Sequence, residues 1–280
     1  MIGQRIGLII FSFYILTGCS KKKITGNEEF RIFALSPSLV ETVFFLGKGK
    51  NITGASSYCS YPEEALKIPV VANISDLNIE YTMKNKPDIV LLMPSQTDIK
   101  IKLTGLGIRS EVVSQESLED ILNSFKEIGD LIGASERSDT VSDSLRTELE
   151  GSRSENSGRR ILISVGREYG TEATYIYSTG RTGFLNDIVE LLGYSNALDT
   201  AIPYPKIGAE AIMTLDPDMI LDLVSSGVNL TEPELLADWE LYDSSSAWKK
   251  GNIIVIKGDH TTIPGPRIFD LIKELKEKGL

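Results

Sequence analysis

Histidine is nearly absent from this chain: His260 is the single imidazole in 280 residues. A zinc or manganese site of the multi-histidine kind cannot be built from it. Cysteine is scarce too, with Cys19 and Cys59 alone, so no disulfide framework staples the fold. Positive charge is in the minority: 29 Lys and Arg face 39 Asp and Glu, a formal net charge of −10. That balance argues against nucleic acid as a partner, because phosphate binding wants a basic face. Neither a Gly-x4-Gly-Lys-Ser/Thr loop nor a Gly-x-Ser-x-Gly elbow occurs. Cys59 and His260 lie in different halves with nothing to order them as a catalytic pair, and no spacing of acids singles out an acid/base couple. These absences weigh against an enzyme.

What is present is globular: 41% hydrophobic and 24% charged residues, in a length that suits two ordinary domains. The amino terminus stands apart. Met1 to Arg5 carries one positive charge, and Ile6 to Leu16 is an apolar run of eleven residues, too short for an ordinary membrane span. Leu16-Thr17-Gly18-Cys19 then resembles a bacterial lipobox, which makes residues 1–18 a signal peptide and Cys19 the lipidated first residue of the mature chain. A short signal peptide with a chance Cys is the plainer alternative. Residues 19–29, with Ser20-Lys21-Lys22-Lys23, read as a solvated tether. No later apolar run is long enough to cross a bilayer.

The body of the chain repeats itself. Glu80 stands seven residues before Pro87-Asp88-Ile89-Val90-Leu91, and Glu210 stands seven before Pro217-Asp218-Met219-Ile220-Leu221, 130 residues later. Seven residues is about two helical turns, so each Glu opens a short helix that Pro-Asp closes, and a buried strand follows. Glu41-Thr42-Val43-Phe44-Phe45-Leu46-Gly47 is echoed 146 residues on by Asp187-Ile188-Val189-Glu190-Leu191-Leu192-Gly193. Strands and helices alternate around both copies, which predicts an α/β fold of mainly parallel sheets. Between them, Leu118 to Ile132 has one apolar face, and Glu136 to Leu149 is a polar helix suited to crossing between lobes. The expected division is 30–125 for the first lobe, 126–158 for the linking helix region and 159–280 for the second lobe.

Six markers in order give the chain a resemblance: Leu35-Ser36-Pro37; Ser56-Ser57-Tyr58 with Tyr61-Pro62; Leu77-Asn78-Ile79-Glu80 with Pro87-Asp88; Thr179-Gly180-Arg181; Pro203-Tyr204-Pro205 with Glu210; and Pro264-Gly265-Pro266-Arg267. Over Arg31 to Leu280 it resembles the substrate-binding proteins of ABC importers that serve cobalamin, ferric siderophores and haem. The resemblance implies two Rossmann-like lobes joined by a long rigid helix, with the ligand held in the cleft between them. It implies that Glu80 and Glu210 dock on arginines of an ABC permease served by an ATPase, although each Glu also suits the positive end of its own helix. It implies a monomer tethered to the membrane by lipid and no cofactor beyond the transported molecule.

Within that family the chain looks closest to cobalamin-binding proteins. Tyr58, Tyr177, Tyr204 and Asp259 fall on cleft positions of that branch, where aromatic faces suit a flat macrocycle. Each Tyr has a plain alternative as a strand or rim residue. The branch's loop Trp is replaced by Asn73-Ile74-Ser75, and a second aromatic position is Met93-Pro94, so a siderophore, haem or another corrinoid stays open as ligand. Arg181, ahead of a helix, is a candidate anion site or a surface Arg in a capped turn. His260 lines the cleft beside Asp259 or sits on a surface loop. An envelope hydrolase is the alternative from another class.

Overall fold

The computed structural model describes residues 30–73 and 76–280; the expected signal peptide, Cys19, the expected tether, Ile74 and Ser75 lie outside the described residues. The first lobe runs β1 (Ile32–Ala34), α1 (Pro37–Phe45), β2 (Ile52–Ser56), β3 (Val70–Ala72), α2 (Ile79–Asn85), β4 (Ile89–Leu92), α3 (Thr97–Gly105) and β5 (Ser110–Val112). Its sheet is parallel throughout, in the order β3-β2-β1-β4-β5. Every residue of β1 and β4 is buried, as expected of unbroken apolar strands covered on both faces.

Two helices follow, α4 (Leu118–Ile132) and α5 (Ser135–Ser152). Ser117 and Asp120 close a capping box at the start of α4, and Gly133 ends it in the left-handed conformation at φ 70°. The helices lie antiparallel, as the Arg146–Glu119 and Lys126–Asp139 ion pairs show. They touch so closely that a Cβ on Gly129 would stand 2.2 Å from the Ser138 hydroxyl. The apolar face of α4 packs on both lobes, so α4 straddles the boundary drawn from sequence at residue 125. A single stripe of Leu118, Ile121, Leu122, Phe125 and Ile128 serves both sides. The polar α5 is the connection itself. It starts beside α1, where the Arg137 Nε donates to the Phe45 carbonyl at 3.0 Å. Its exit reaches the second lobe, where the Ser154 amide donates to the Leu191 carbonyl at 2.9 Å. Its span is roughly 27 Å.

The second lobe contains β6 (Arg160–Arg167), β7 (Tyr175–Ser178), α6 (Phe184–Leu191), β8 (Ser195–Asn196), β9 (Lys206–Gly208), α7 (Ala209–Leu215), β10 (Met219–Val224), α8 (Glu232–Ala237), α9 (Ser246–Lys249), β11 (Ile253–Lys257) and α10 (Ile268–Glu277). Its sheet has the order β11-β10-β6-β7-β9, with β8 alongside β6. It is mixed, because β7 runs antiparallel to both β6 and β9.

The duplication read from sequence is reproduced bond by bond. The Asp88 carboxylate accepts the Arg31 amide at 2.9 Å, and the Asp218 carboxylate accepts the Arg160 amide at 3.0 Å. Two residues earlier in each copy, Lys86 and Asp216 end their helices with positive φ, 46° and 39°. In each lobe an arginine reaches back to the helix end: Arg31 donates to the Asn85 carbonyl, and Arg160 to those of Leu215 and Asp216. The heptad copies end alike as well, Gly47 at φ 77° and Gly193 at φ 82°.

Phe125 is fully buried on the face of α4 that both lobes share. Phe125→Ala should lower stability by about 3–5 kcal/mol, because the cavity lies where neither lobe can collapse alone. Urea denaturation followed by circular dichroism measures it, and a loss well under 1 kcal/mol would contradict a shared core.

Candidate functional site

All the strands of a parallel sheet end at one edge, and loops there collect the residues that bind ligands. In the first lobe that edge carries Leu35-Ser36, Ser56 to Tyr58, Met93-Pro94 and the segment reaching Glu116. In the second it carries Val224 to Ser226 and Lys257 to Asp259. The two edges face each other, because segments leaving one reach the other. The Phe184 amide, at the start of α6, donates to the Glu116 carbonyl at 2.8 Å. The Leu118 amide donates to the Asp187 carboxylate at 2.9 Å. The loop from β11 to α10 brings Arg267 onto Glu41 of α1, its Nε and Nη2 donating to the two carboxylate oxygens at 2.9 and 2.6 Å.

Three expected aromatic residues stand open to solvent. Tyr58 follows β2, 81% exposed, with φ at 69°. Tyr177 lies on β7 with Tyr175 edge-on at 6.1 Å, and the Lys206 ammonium sits 3.6 Å from the Tyr175 ring centre. Tyr204 lies in the loop before β9; its partly sheltered hydroxyl, with the Glu116 charge nearby, has a pKa above the usual phenol value. Met93 is half-buried, its sulfur accepting from the Ser38 hydroxyl at 3.8 Å.

Asp259 opens the turn after β11. One of its carboxylate oxygens accepts from the Ser226 hydroxyl at 2.7 Å, the Ser226 amide at 3.2 Å and the Ser225 hydroxyl at 3.4 Å. The Ser226 hydrogen bond above all holds this carboxyl below the usual carboxylate range, against a smaller cost of burial. His260, the next residue, points its Nε2 at the Glu274 carboxylate of α10, 3.2 Å away, and so is tied to the second lobe's last helix. Arg181 is exposed, and its charge is matched by Asp199 at 2.7 Å, so it does not stand as an unpaired cation awaiting an anion.

Glu80 and Glu210 occupy the first turns of α2 and α7. Both are exposed, and neither carboxylate has a hydrogen-bond or ion-pair partner among the described residues. Each helix starts after its lobe's strands have reached the cleft edge, so each acid sits at the cleft end of its lobe.

Sequence reasoning missed Glu41, Arg267 and Tyr61 as a unit. The carboxylate of Glu41 is 2% exposed and the guanidinium of Arg267 14%. The Tyr61 ring stacks on that guanidinium at 4.3 Å. Burial raises the Glu41 pKa despite the opposing pull of Arg267. Burial disfavours the Arg267 cation, yet Glu41 holds its pKa above the ordinary value. A signal existed: Glu41 is the one charged residue in α1, a helix otherwise of apolar and small polar residues, and a charge there is buried only with a partner. What the sequence lacked was the identity of that partner, 226 residues away.

Comparison with known proteins gives this arrangement a place. The family model described as "Periplasmic binding protein" matches residues 32–260. The uncharacterized ABC transporter substrate-binding lipoprotein YvrC of Bacillus subtilis is 26% identical over 262 residues, covering 90% of this chain and 80% of the relative. The vitamin B12-binding protein of Vibrio cholerae is 22% identical over 273 residues, covering 96% of this chain and 95% of the relative. Among solved structures, a possible iron-binding, periplasmic solute-binding protein from Staphylococcus epidermidis superimposes with a TM-score of 0.71 at 25% identity, over 89% of this chain and 97% of that one. With two facing strand edges, a helix joining the lobes and a family match over most of its length, the chain belongs to the periplasmic binding protein family.

Proposed function

We propose that this protein is the lipid-anchored substrate-binding component of an ABC importer, and that it carries cobalamin or a related corrinoid to the permease. One observation carries the choice of ligand. The cleft edges expose tyrosines and hydrogen-bonding groups, while the neighbouring cations are already engaged. Arg267 is held by Glu41 and Arg181 by Asp199, while Lys206 lies over the Tyr175 ring and Lys257 donates to the Leu230 carbonyl. A corrinoid is a flat macrocycle fringed by amides. It asks for aromatic faces, from Tyr58, Tyr177 and Tyr204, and for acceptors such as Asp259. Haem or an anionic ferric chelate asks for free cations to meet its carboxylates or catecholates. The second reading, a ferric chelate or haem in the same cleft, is supported by the likeness to the possible iron-binding protein of Staphylococcus epidermidis.

In this reading Cys19 carries the lipid and the protein works outside the cytoplasm, without bond-making chemistry. Glu80 and Glu210 meet basic residues of the permease. Two exposed, unpaired carboxylates at equivalent places set an orientation across the cleft and speed encounter. The polar, continuous α5 resists hinge bending, so closure on the ligand is small.

Purified protein titrated with cyanocobalamin, haem and a ferric hydroxamate should bind cyanocobalamin most tightly. Preference for an iron ligand selects the second reading, and no response to any of them overturns both. Tyr58→Ala should weaken cyanocobalamin binding by about 0.5–1.5 kcal/mol, the worth of one aromatic contact, measured by calorimetry. Reversing both Glu80 and Glu210 to Lys should abolish uptake into cells while leaving affinity intact; affinity falling in parallel would assign the carboxylates to the cleft.

Asp259 provides a pH test. Its folded pKa is lowered, so its contribution to stability is present above the ordinary carboxylate value and lost as pH falls through the folded value. Ser226→Ala should raise that pKa toward the ordinary value in a carboxyl carbon NMR titration. An unchanged titration would remove Ser226 as the cause.

A further inference from the structure

Among the described residues, the Glu41–Arg267 bridge is the one ion pair that joins the first lobe to the second. It stands on the duplication. Glu41 and Asp187 occupy the same place in the two heptad copies, and both leave their own lobe's helix to bind a group beyond it. Asp187 takes the Leu118 amide of α4, and Glu41 takes Arg267 of the opposite lobe. Arg267 has a second contact that Asp187 has no counterpart for. Its guanidinium carries the Tyr61 ring at 4.3 Å, and Tyr61 belongs to the loop after β2 that also presents Tyr58. The loop bearing Arg267 is stiff, since Pro264 and Pro266 flank Gly265. Gly265 passes over α1, where a Cβ would lie 3.5 Å from the Ser38 Cα.

We propose that Arg267 is a positioning residue of the cleft: through Glu41 it fixes the separation of the lobes, and through Tyr61 it holds the Tyr58 loop against the second lobe. One planar cation does both, because its edge is spent on the carboxylate and its face remains for the ring. A lysine at this position keeps the charge and loses the two-point grip and the stacking plane. Lobe spacing and the placement of Tyr58 are therefore coupled through one side chain. The effect on ligand affinity rests on the function proposed above; the effect on lobe spacing does not.

The test therefore begins without ligand. Spin labels on Lys84→Cys and Thr214→Cys, exposed on α2 and α7, report the lobe separation in a chain carrying Cys19→Ser and Cys59→Ser. With Arg267 and Glu41 intact, a single narrow distance distribution is expected. Arg267→Gln should broaden it, and Arg267→Lys should give an intermediate width. The double variant Glu41→Gln/Arg267→Gln leaves no unpaired buried charge and keeps the fold, yet should also broaden the distribution. Tyr61→Leu should leave the distribution narrow and weaken cyanocobalamin roughly tenfold, within the usual range of coupling between sites. A narrow distribution in the folded double variant overturns the proposal whatever the ligand proves to be. Broadening in that variant, with no cyanocobalamin binding to the protein with Arg267 and Glu41 intact, supports Arg267 as the lobe spacer and rejects the ligand assignment instead.

Discussion

A buried carboxylate and a partly buried guanidinium stand between the two lobes of this protein. Burying such charges costs several kcal/mol for each ion, and their attraction repays it only when the geometry is good. Here it is good: two parallel hydrogen bonds of 2.9 and 2.6 Å, with an aromatic ring over the free face of the cation. The pair contributes definition more than stability. Apolar packing on α4 would hold the lobes together at a range of spacings, whereas a bidentate bridge is satisfied at one. The Phe184 amide on the Glu116 carbonyl and the Leu118 amide on the Asp187 carboxylate add two more hydrogen bonds across the same junction.

The second lobe repeats that style of construction inside itself. Arg167, at the end of β6, is buried with no exposed side-chain surface and is shared between Asp222 and Asp238 at 2.8 and 2.5 Å. Trp239 donates its indole N–H to the same Asp222 oxygen at 3.1 Å and lies beside the guanidinium. This cluster ties β6, β10 and the segment after α8 together just beneath the cleft edge. Charge near the cleft is thus committed in two layers, one within the lobe and one between lobes. What remains outward is mostly aromatic, hydroxylic or acidic, with Lys206 over the Tyr175 ring and Lys257 on the Leu230 carbonyl, and the free acids Glu80 and Glu210 lie at the rims.

Much of the fold was legible because its signals are local. The Pro-Asp pairs, the left-handed helix ends and the apolar runs of β4 and β10 depend on residues within one or two turns, and the structure realises them in both lobes. The short strands β3, β8 and β9 were not read from the sequence; they have two or three residues each. The site was less legible. Tyr58, Tyr177, Tyr204 and Asp259 were placed by resemblance; in the structure the three tyrosines are exposed and Asp259 is half-buried. Arg181 shows the opposite limit: its motif suggested an anion site, and Asp199, 18 residues on, had no sequence feature marking it as the partner that matches its charge.

The sequence by itself determined the doubled α/β plan, the polar crossing helix, the equivalence of Glu80 with Glu210 and the family to which the chain belongs. The first three are written in spacing along the chain, and the family in the motifs that carry the resemblance. Only the tertiary structure decided which charges are spent and which are free. Whether Arg267 faces a ligand, a membrane partner or Glu41 depends on what lies within about 4 Å of it in space, since a charge in a low-dielectric setting interacts strongly only with its near neighbours. Folding brings Glu41 of α1 to Arg267 at the start of α10, 226 residues further along the chain, and no property of either segment alone foretells that meeting.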